Sequence, residues 1–380
     1  MRLEDFISGR YKQQFKYKSF TPNKINKEFT WDNTDINISL EEANKSLAEL
    51  NAVATFIPNI NLFIAMYSNT EAIFSTRIEG TRTEMDDLLN NNFSDEETRN
   101  DKQEVQNYIN ALNYAIGKLS ELPISNRLLK ETHGVLMYNA RGQNKYPGEF
   151  RKTQNWIGGS NLIDAFYIPP HQDEIEELMA DLENFIHNNN LKVPHLIKIA
   201  IIHYQFESIH PFCDGNGRLG RLLIILYLIN FRLLDKPILY LSYFFEKYKA
   251  TYYDYLTNVR KNNDIIKWIL FFLNGVIKVS KQAKNTLNNI NNLKKEIDEL
   301  INTKIKRKSK NLIRLLDYIF VKPIVNVDEI IKNLNLNKMT AYNLIYKLEE
   351  LNILREITDK QRNKVYKFEK YLVLFKNIGY

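Results

Sequence analysis

The string His210-Pro211-Phe212-Cys213-Asp214-Gly215-Asn216-Gly217-Arg218-Leu219-Gly220-Arg221 constrains this chain more than any other part of it. Apolar helical sequence precedes it (Leu196 to Phe206) and follows it (Leu222 to Phe231). A connection between two buried helices is ordinarily short and chemically bland. This one holds an imidazole, a carboxylate, an amide, glycines and two guanidiniums. Gly215 and Gly217 permit positive φ, so successive backbone N–H groups can point into one hollow. A helix starting near Asn216 aims its dipole and free N–H groups at the same hollow, which suits a phosphate. Arg218 and Arg221 sit near that end of the helix on adjacent parts of its surface, where they can hold outer phosphates as forks. Asp214 is a hard oxygen ligand, suited to a magnesium shared with phosphates. His210, at the mouth of the loop, can accept a proton near neutral pH. The assembly reads as a cradle for a nucleoside triphosphate with a general base beside it.

The bland alternative is a glycine-rich helix start whose arginines pair with surface carboxylates. The whole string, however, resembles the signature of the Fic family, in which HPF, one variable residue, Asp or Glu, GNGR, two variable residues and Arg follow one another. Cys213 fills the first variable slot, Leu219 and Gly220 the later pair, and no fixed position departs from the pattern. The resemblance implies transfer of AMP from ATP to a protein hydroxyl with magnesium. His210 would be the base and Asp214 the metal ligand, with Gly215, Asn216, Gly217, Arg218, Leu219, Gly220 and Arg221 around the nucleotide.

A helix is expected over Asn61 to Ile78, ending in Ser75-Thr76-Arg77-Ile78-Glu79-Gly80. Gly80 is a natural C-cap residue. Glu79 is then a carboxylate at the negative end of the helix dipole, and an acid there needs a cation nearby. Ser75, Glu79 and Gly80 resemble the Fic inhibitory motif, Ser/Thr-x-x-x-Glu-Gly/Asn. That resemblance implies that Glu79 pairs with Arg221 and blocks placement of the γ-phosphate. Breaking a buried pair of this kind costs roughly 3–5 kcal/mol.

Gly142 to His171 lacks a helical period, and Trp156-Ile157-Gly158 with Phe166-Tyr167-Ile168 read as paired strands. The stretch resembles the Fic flap, a hairpin that holds the protein substrate by strand addition at about residues 154–170. The alternative is an ordinary surface hairpin. Tyr252-Tyr253 resembles the family segment over the adenine, which makes Tyr252 a candidate nucleotide contact; core packing accounts for a tyrosine there equally well. His133 and His203 read as structural. A zinc centre of His203, His210 and Asp214 would leave the phosphate features unused.

Across 380 residues the chain carries a net charge of +7 and a single cysteine. The charge permits nucleic-acid contact without demanding it. One cysteine excludes an internal disulfide framework and a cysteine zinc site. No run approaches the ~18 apolar residues of a membrane span, and the N-terminus does not resemble a signal peptide, so a cytoplasmic protein without a membrane partner is expected. The expected fold is mainly α: a Fic helical core with a small β-hairpin flap and a C-terminal winged helix-turn-helix. The expected divisions are 1–100 (an N-terminal arm and helices including the inhibitory motif), 101–278 (core), 279–311 (helical linker) and 312–380 (winged helix). Residues Asn90 to Lys102 read as loop or frayed turn. Ile290, Leu293, Ile297 and Leu300 form a short heptad stripe, which would pack on the body or on a second copy in a homodimer. Residues 312–380 hold 12 basic and 8 acidic side chains, modest for a DNA contact through Lys338, Thr340, Tyr342 and Asn343. Two other readings remain at this stage: a DNA-binding regulator whose core senses nucleotide, and a hydrolase that removes AMP with the same site.

Overall fold

The computed structural model describes residues 1–89, 96–138, 145–305, 309–358 and 362–376. The chain begins with an antiparallel hairpin, β1 (Gly9–Gln13) and β2 (Lys18–Pro22), registered Tyr11 opposite Phe20. This hairpin is absent from the sequence reading, which expects an extended arm. Phe20 and Phe29 are buried, while Phe15 is exposed.

Helices α1 (Thr34–Phe56), α2 (Asn61–Ile78), α3 (Met85–Leu89), α4 (Glu96–Lys118) and α5 (Asn126–Leu136) follow. Asn33 caps α1 by accepting from the Ile36 N–H at 3.0 Å, and Ser125 caps α5 in the same way. The expected loop up to Lys102 is corrected from Glu96 onward: α4 begins there, with Glu96 and Glu97 at its positive end. Residues 90–95 lie outside the described residues.

Helices α6 (Ile175–His187), α7 (His195–Ile209), α8 (Asn216–Asn230), α9 (Ser242–Lys247) and α10 (Lys249–Asn262) complete the core around the signature. Apolar residues surround α7 and α8 on every side, and both are buried almost throughout. They pack on each other, with α6 against α7 and α4 and α5 against α8. The long α11 (Ile265–Lys304) is capped by Asp264 and packs along α1. Trp268 on it donates its indole N–H to the Ala200 carbonyl of α7 at 2.8 Å.

Two expectations bear on α11. No break occurs near residue 278, since one helix runs from 265 to 304. The heptad stripe takes the first of its two expected partners, the body of the chain: Ile290, Leu293 and Ile297 are buried within it and Leu300 packs against the same core. The division at residue 100 likewise falls inside α4. Lys306, Arg307 and Lys308, read as linker, lie outside the described residues.

The C-terminal region runs α12 (Lys310–Val321), β3 (Ile324–Asn326), α13 (Val327–Leu334), α14 (Lys338–Glu350), β4 (Arg355–Glu356), β5 (Val365–Lys367) and α15 (Glu369–Lys376). The strands form an antiparallel sheet in the order β3-β5-β4. Asn337 caps α14 by accepting from the Thr340 N–H at 2.8 Å. Residues 359–361, between β4 and β5, lie outside the described residues. Among the described residues no helix is long and apolar enough to cross a membrane.

Candidate active site

The signature loop joins α7 to α8, and both junctions use left-handed backbone. His210 caps α7 at φ 50°, its N–H donating to the Phe206 carbonyl at 2.9 Å. Gly215 precedes α8 at φ 73°, the position where glycine avoids the strain of a side chain. Gly217 differs from expectation: it is helical, in the first turn of α8. Its missing side chain matters for another reason. A Cβ there would stand 2.4 Å from Glu79 Oε1 and 2.9 Å from Arg221 Nη1. The Glu79 carboxylate therefore lies directly against the start of α8.

The loop is braced from within and from two sides. Asn216 closes it: its Oδ1 accepts from the Phe212 N–H and its Nδ2 donates to the Phe212 carbonyl, both at 2.9 Å. His133, on α5, stacks on Phe212 with ring centroids 3.9 Å apart. Its Nδ1 accepts from the Gly148 N–H at 2.9 Å, so Nε2 carries the proton toward the Asp214 carbonyl, also at 2.9 Å. Burial pulls this imidazole down to about 4, and it stays neutral. Asn155 donates to the Phe212 carbonyl at 3.0 Å. The structural role read for His133 is what these contacts show.

Arg221 is 2% exposed. Its Nε donates to Ser75 Oγ at 2.9 Å, and its Nη2 donates to the Ser75 carbonyl at 2.8 Å and to Glu79 Oε1 at 2.7 Å. Glu71, Ser75 and Glu79 follow one another at one-turn spacing on α2 and face this region. Burial alone would raise the Glu79 carboxyl, but Arg221 outweighs it and holds the group below the usual carboxylate range. Gly80 follows at φ 112°, consistent with its reading as a helix stop.

Arg218 points to another acid. Its Nη1 donates to Glu104 Oε2, on α4, at 3.1 Å, and its Nη2 stands 3.5 Å from Asp214 Oδ1. Asp214 Oδ1 also accepts from the Gly215 N–H at 2.6 Å, and Oδ2 accepts from Lys145 at 2.8 Å. Despite partial burial, these donors, Lys145 first, hold the carboxyl below its ordinary value. No group of three or more His, Cys, Asp or Glu able to hold a metal occurs among the described residues. A lone ionised carboxylate at a helix start fits magnesium only when phosphate oxygens supply other ligands, and Asp214 is such a donor.

His210 is half-buried, and its Nδ1 has no partner among the described residues. Burial first, then the positive charge of Arg151, pull the imidazole down to about 4, against the opposing pull of Glu79.

Three residues that the sequence reading puts around the nucleotide are buried. Leu219 is fully buried in the core. Gly220 allows close approach of α7, since a Cβ there would meet Glu207 Oε1 at 2.3 Å. Tyr252 is 1% exposed, its hydroxyl lies 2.9 Å from His203 Nε2, and Phe245 covers its ring at 4.7 Å. A base cannot stack on that ring without unpacking the core. The neighbouring Tyr253 is 38% exposed, and burial first, then the charge of Glu79, push its hydroxyl above the usual tyrosine value against the pull of Arg221. His203, fully buried and held by the Gly220 carbonyl at 3.1 Å, is a core histidine, as the sequence implies.

The flap is thinner than expected. Ile157 and Tyr167 exchange both backbone hydrogen bonds, at 2.8 and 3.1 Å, but the pairing extends no further. Trp156, Ile163 and Phe166 project outward. Sequence reasoning missed Glu104, Lys145, Arg151 and Asn155. Only contacts across distant segments reveal them, and nothing in their local sequence marks them.

Fold and site together define a helical core in which one loop sets a histidine, an acid and a glycine-rich helix start beside two arginines. Residues 38–117 match the family described as Fic/DOC family N-terminal, and residues 123–228 match Fic/DOC family. The chain thus carries a Fic/DOC N-terminal region and a Fic/DOC domain over these residues. It is 34% identical over 125 residues to a protein adenylyltransferase Fic of Culex quinquefasciatus, covering 33% of this chain and 22% of that protein. It is 37% identical over 78 residues to one of Drosophila melanogaster, covering 20% and 14%. The chain thus matches less than a quarter of the length of these curated relatives. A Fic family protein from Desulfovibrio desulfuricans G20 shares the fold with a TM-score of 0.56 at 19% identity, covering 89% of this chain and 96% of that one. A fragment of Fic-1 from C. elegans superposes with a TM-score of 0.53 at 19% identity, covering 69% and 74%.

Proposed function

We propose that the protein is an adenylyltransferase that moves AMP from ATP to a hydroxyl of a protein substrate and restrains itself through Glu79. The observation that carries this reading is the position of the Glu79 carboxylate. It lies against Gly217 at the start of α8 and bonds Arg221 at 2.7 Å, the place and partner that a phosphate would take. The curated relatives named protein adenylyltransferase support the reaction class.

In the reaction, neutral His210 takes the proton of a Tyr, Ser or Thr hydroxyl. The freed oxygen attacks the α-phosphorus of ATP, the bond to the bridging oxygen breaks, and pyrophosphate leaves. The N–H groups at the start of α8 receive phosphate oxygens, and Arg218 and Arg221 receive the outer phosphates once they leave Glu104 and Glu79. Asp214 would hold magnesium together with phosphate oxygens, after Lys145 gives way; that ion would neutralise phosphate charge. The chain contributes positioning and charge neutralisation in place of covalent chemistry. The 154–170 segment would hold the target along the exposed edge beside Ile157. The order of α12 through β5 fits a winged helix, which would serve as a docking module.

The test is a comparison of parent and Glu79→Gly protein incubated with ATP labelled at the α-phosphate. Labelling of the protein itself should rise in the variant. A correctly folded Glu79→Gly form that takes up no label removes the transferase reading. Equal labelling of both forms removes the inhibitory role alone.

A further inference from the structure

We propose that Arg151 is a positioning residue for the transfer reaction, tying the backbone of His210 to both ends of the flap so that base and target hydroxyl meet in register. The inference rests on the transferase reading above. Arg151 is 2% exposed and sits between α5 and the flap. Its Nε donates to the His210 carbonyl at 3.0 Å. Its Nη1 donates to the Thr153 carbonyl at 3.1 Å, just before the flap, and its Nη2 to the Pro170 carbonyl at 2.6 Å, at the flap's far end. Its own N–H donates to the Pro211 carbonyl at 2.9 Å.

Two features separate this from ordinary packing. Among the described residues no carboxylate lies within ion-pair distance of the guanidinium, so a full positive charge is buried with carbonyl oxygens alone. Such a charge is costly, and apolar packing would serve stability better. The three carbonyls also belong to three separate stretches, and only a planar fork reaches all of them at once. His210 has a non-glycine residue's cost of left-handed backbone, so its conformation must be imposed from outside. Arg151 is the side chain that grips its carbonyl.

The same charge bears on the ring. Arg151 and Arg260 of α10 disfavour the imidazolium of His210, while Glu79 of α2 and the Glu207 carbonyl of α7 favour it. Burial is the larger cause of the neutral imidazole, and the charge of Arg151 adds to it in the same direction.

The experiment uses the full chain in the Glu79→Gly form, adding Arg151→Lys or Arg151→Met. Three quantities are read: transfer rate, ATP affinity by calorimetry, and the titration of His210 by imidazole proton resonances, assigned with His210→Ala. We expect transfer to fall about tenfold or more in both variants, with ATP affinity within about twofold of the parent. The His210 midpoint should stay in place in Arg151→Lys, which keeps the charge, and rise in Arg151→Met, which removes it. Transfer within twofold of the parent in Arg151→Lys overturns the proposal, as does a parallel loss of ATP binding and transfer. If Arg151→Met does not fold, Arg151→Lys alone decides. If the Glu79→Gly parent itself takes up no label, the transferase reading fails, whereas the titrations still show whether Arg151 governs the His210 ring.

Discussion

At the scale of single residues, His210 combines two properties that ordinarily oppose each other. It sits beside a carboxylate that would favour its charged form, yet burial and Arg151 prevail and bring it down to about 4. A depressed imidazole is neutral above its own value and gains its proton only as pH falls through it. The base-competent form is therefore present across the whole neutral range. We predict that transfer by the Glu79→Gly form holds nearly level from pH 7 to about 5, where an ordinary imidazole near 6.5 would be largely protonated. Loss of Glu79 removes an influence that raises the group, so it acts in the same direction. An acid limb centred near 6.5 in the pH–rate profile would contradict this. Replacing the ring, as His210→Ala, should lower transfer by the roughly 10²–10⁴-fold of a missing general base, measured by label from α-phosphate-labelled ATP. Unchanged labelling would take that role from His210.

The site's main chemical residues were legible because the signature packs them into one contiguous string, where spacing alone fixes their neighbours. Glu79 could be flagged as an acid wanting a cation, and its partner Arg221 came only through the family resemblance. Glu104 and Lys145 could not be found this way. They reach Arg218 and Asp214 from other parts of the fold, and a sequence does not state such meetings. Tyr252 and Tyr253 show a finer limit. Adjacent helical residues point about 100° apart, so a one-residue error exchanges a core ring for the one that faces the site.

Among the elements, the junction of loop and α8 depends on Asn216. Its side chain makes two hydrogen bonds to the Phe212 backbone while fully enclosed. Asn216→Ala leaves the buried Phe212 N–H without this partner, at about 1–3 kcal/mol for an unsatisfied group, and leaves the Phe212 carbonyl with Asn155 alone. We predict a loss of about 2 kcal/mol or more in a denaturant titration, together with weaker ATP binding as the start of α8 loosens. A variant as stable as the parent would show that the loop is held by His133 and Asn155 instead. The same scale shows why element boundaries were misjudged. The start of α4 is polar and looks like loop, but its acids suit a helix N-terminus. The unexpected β3 is three residues long, with Ile324 opposite Lys367, too short to leave an alternating pattern.

Across the whole molecule, the C-terminal region is joined to the helix that carries Glu79. Phe63 of α2 meets Phe320 of α12 edge-on at 5.4 Å and lies 6.3 Å from Tyr371 of α15. Tyr67, one turn further along α2, meets Phe375 at 5.4 Å. Beyond the helix, Lys367 of β5, 8% exposed, pairs with Asp86 of α3 at 2.9 Å. The two regions thus bury parts of one continuous apolar cluster, although the sequence suggested separate units. A domain that buries its own surface unfolds on its own, whereas regions that share a core lose it together. We predict a single calorimetric unfolding transition for the full chain. Phe63→Ala, which empties the centre of the shared cluster, should cost about 3–5 kcal/mol and lower that one transition as a unit. Two transitions in the parent, or a Phe63→Ala form in which only one of two steps moves, would mean that the C-terminal region merely rests against α2.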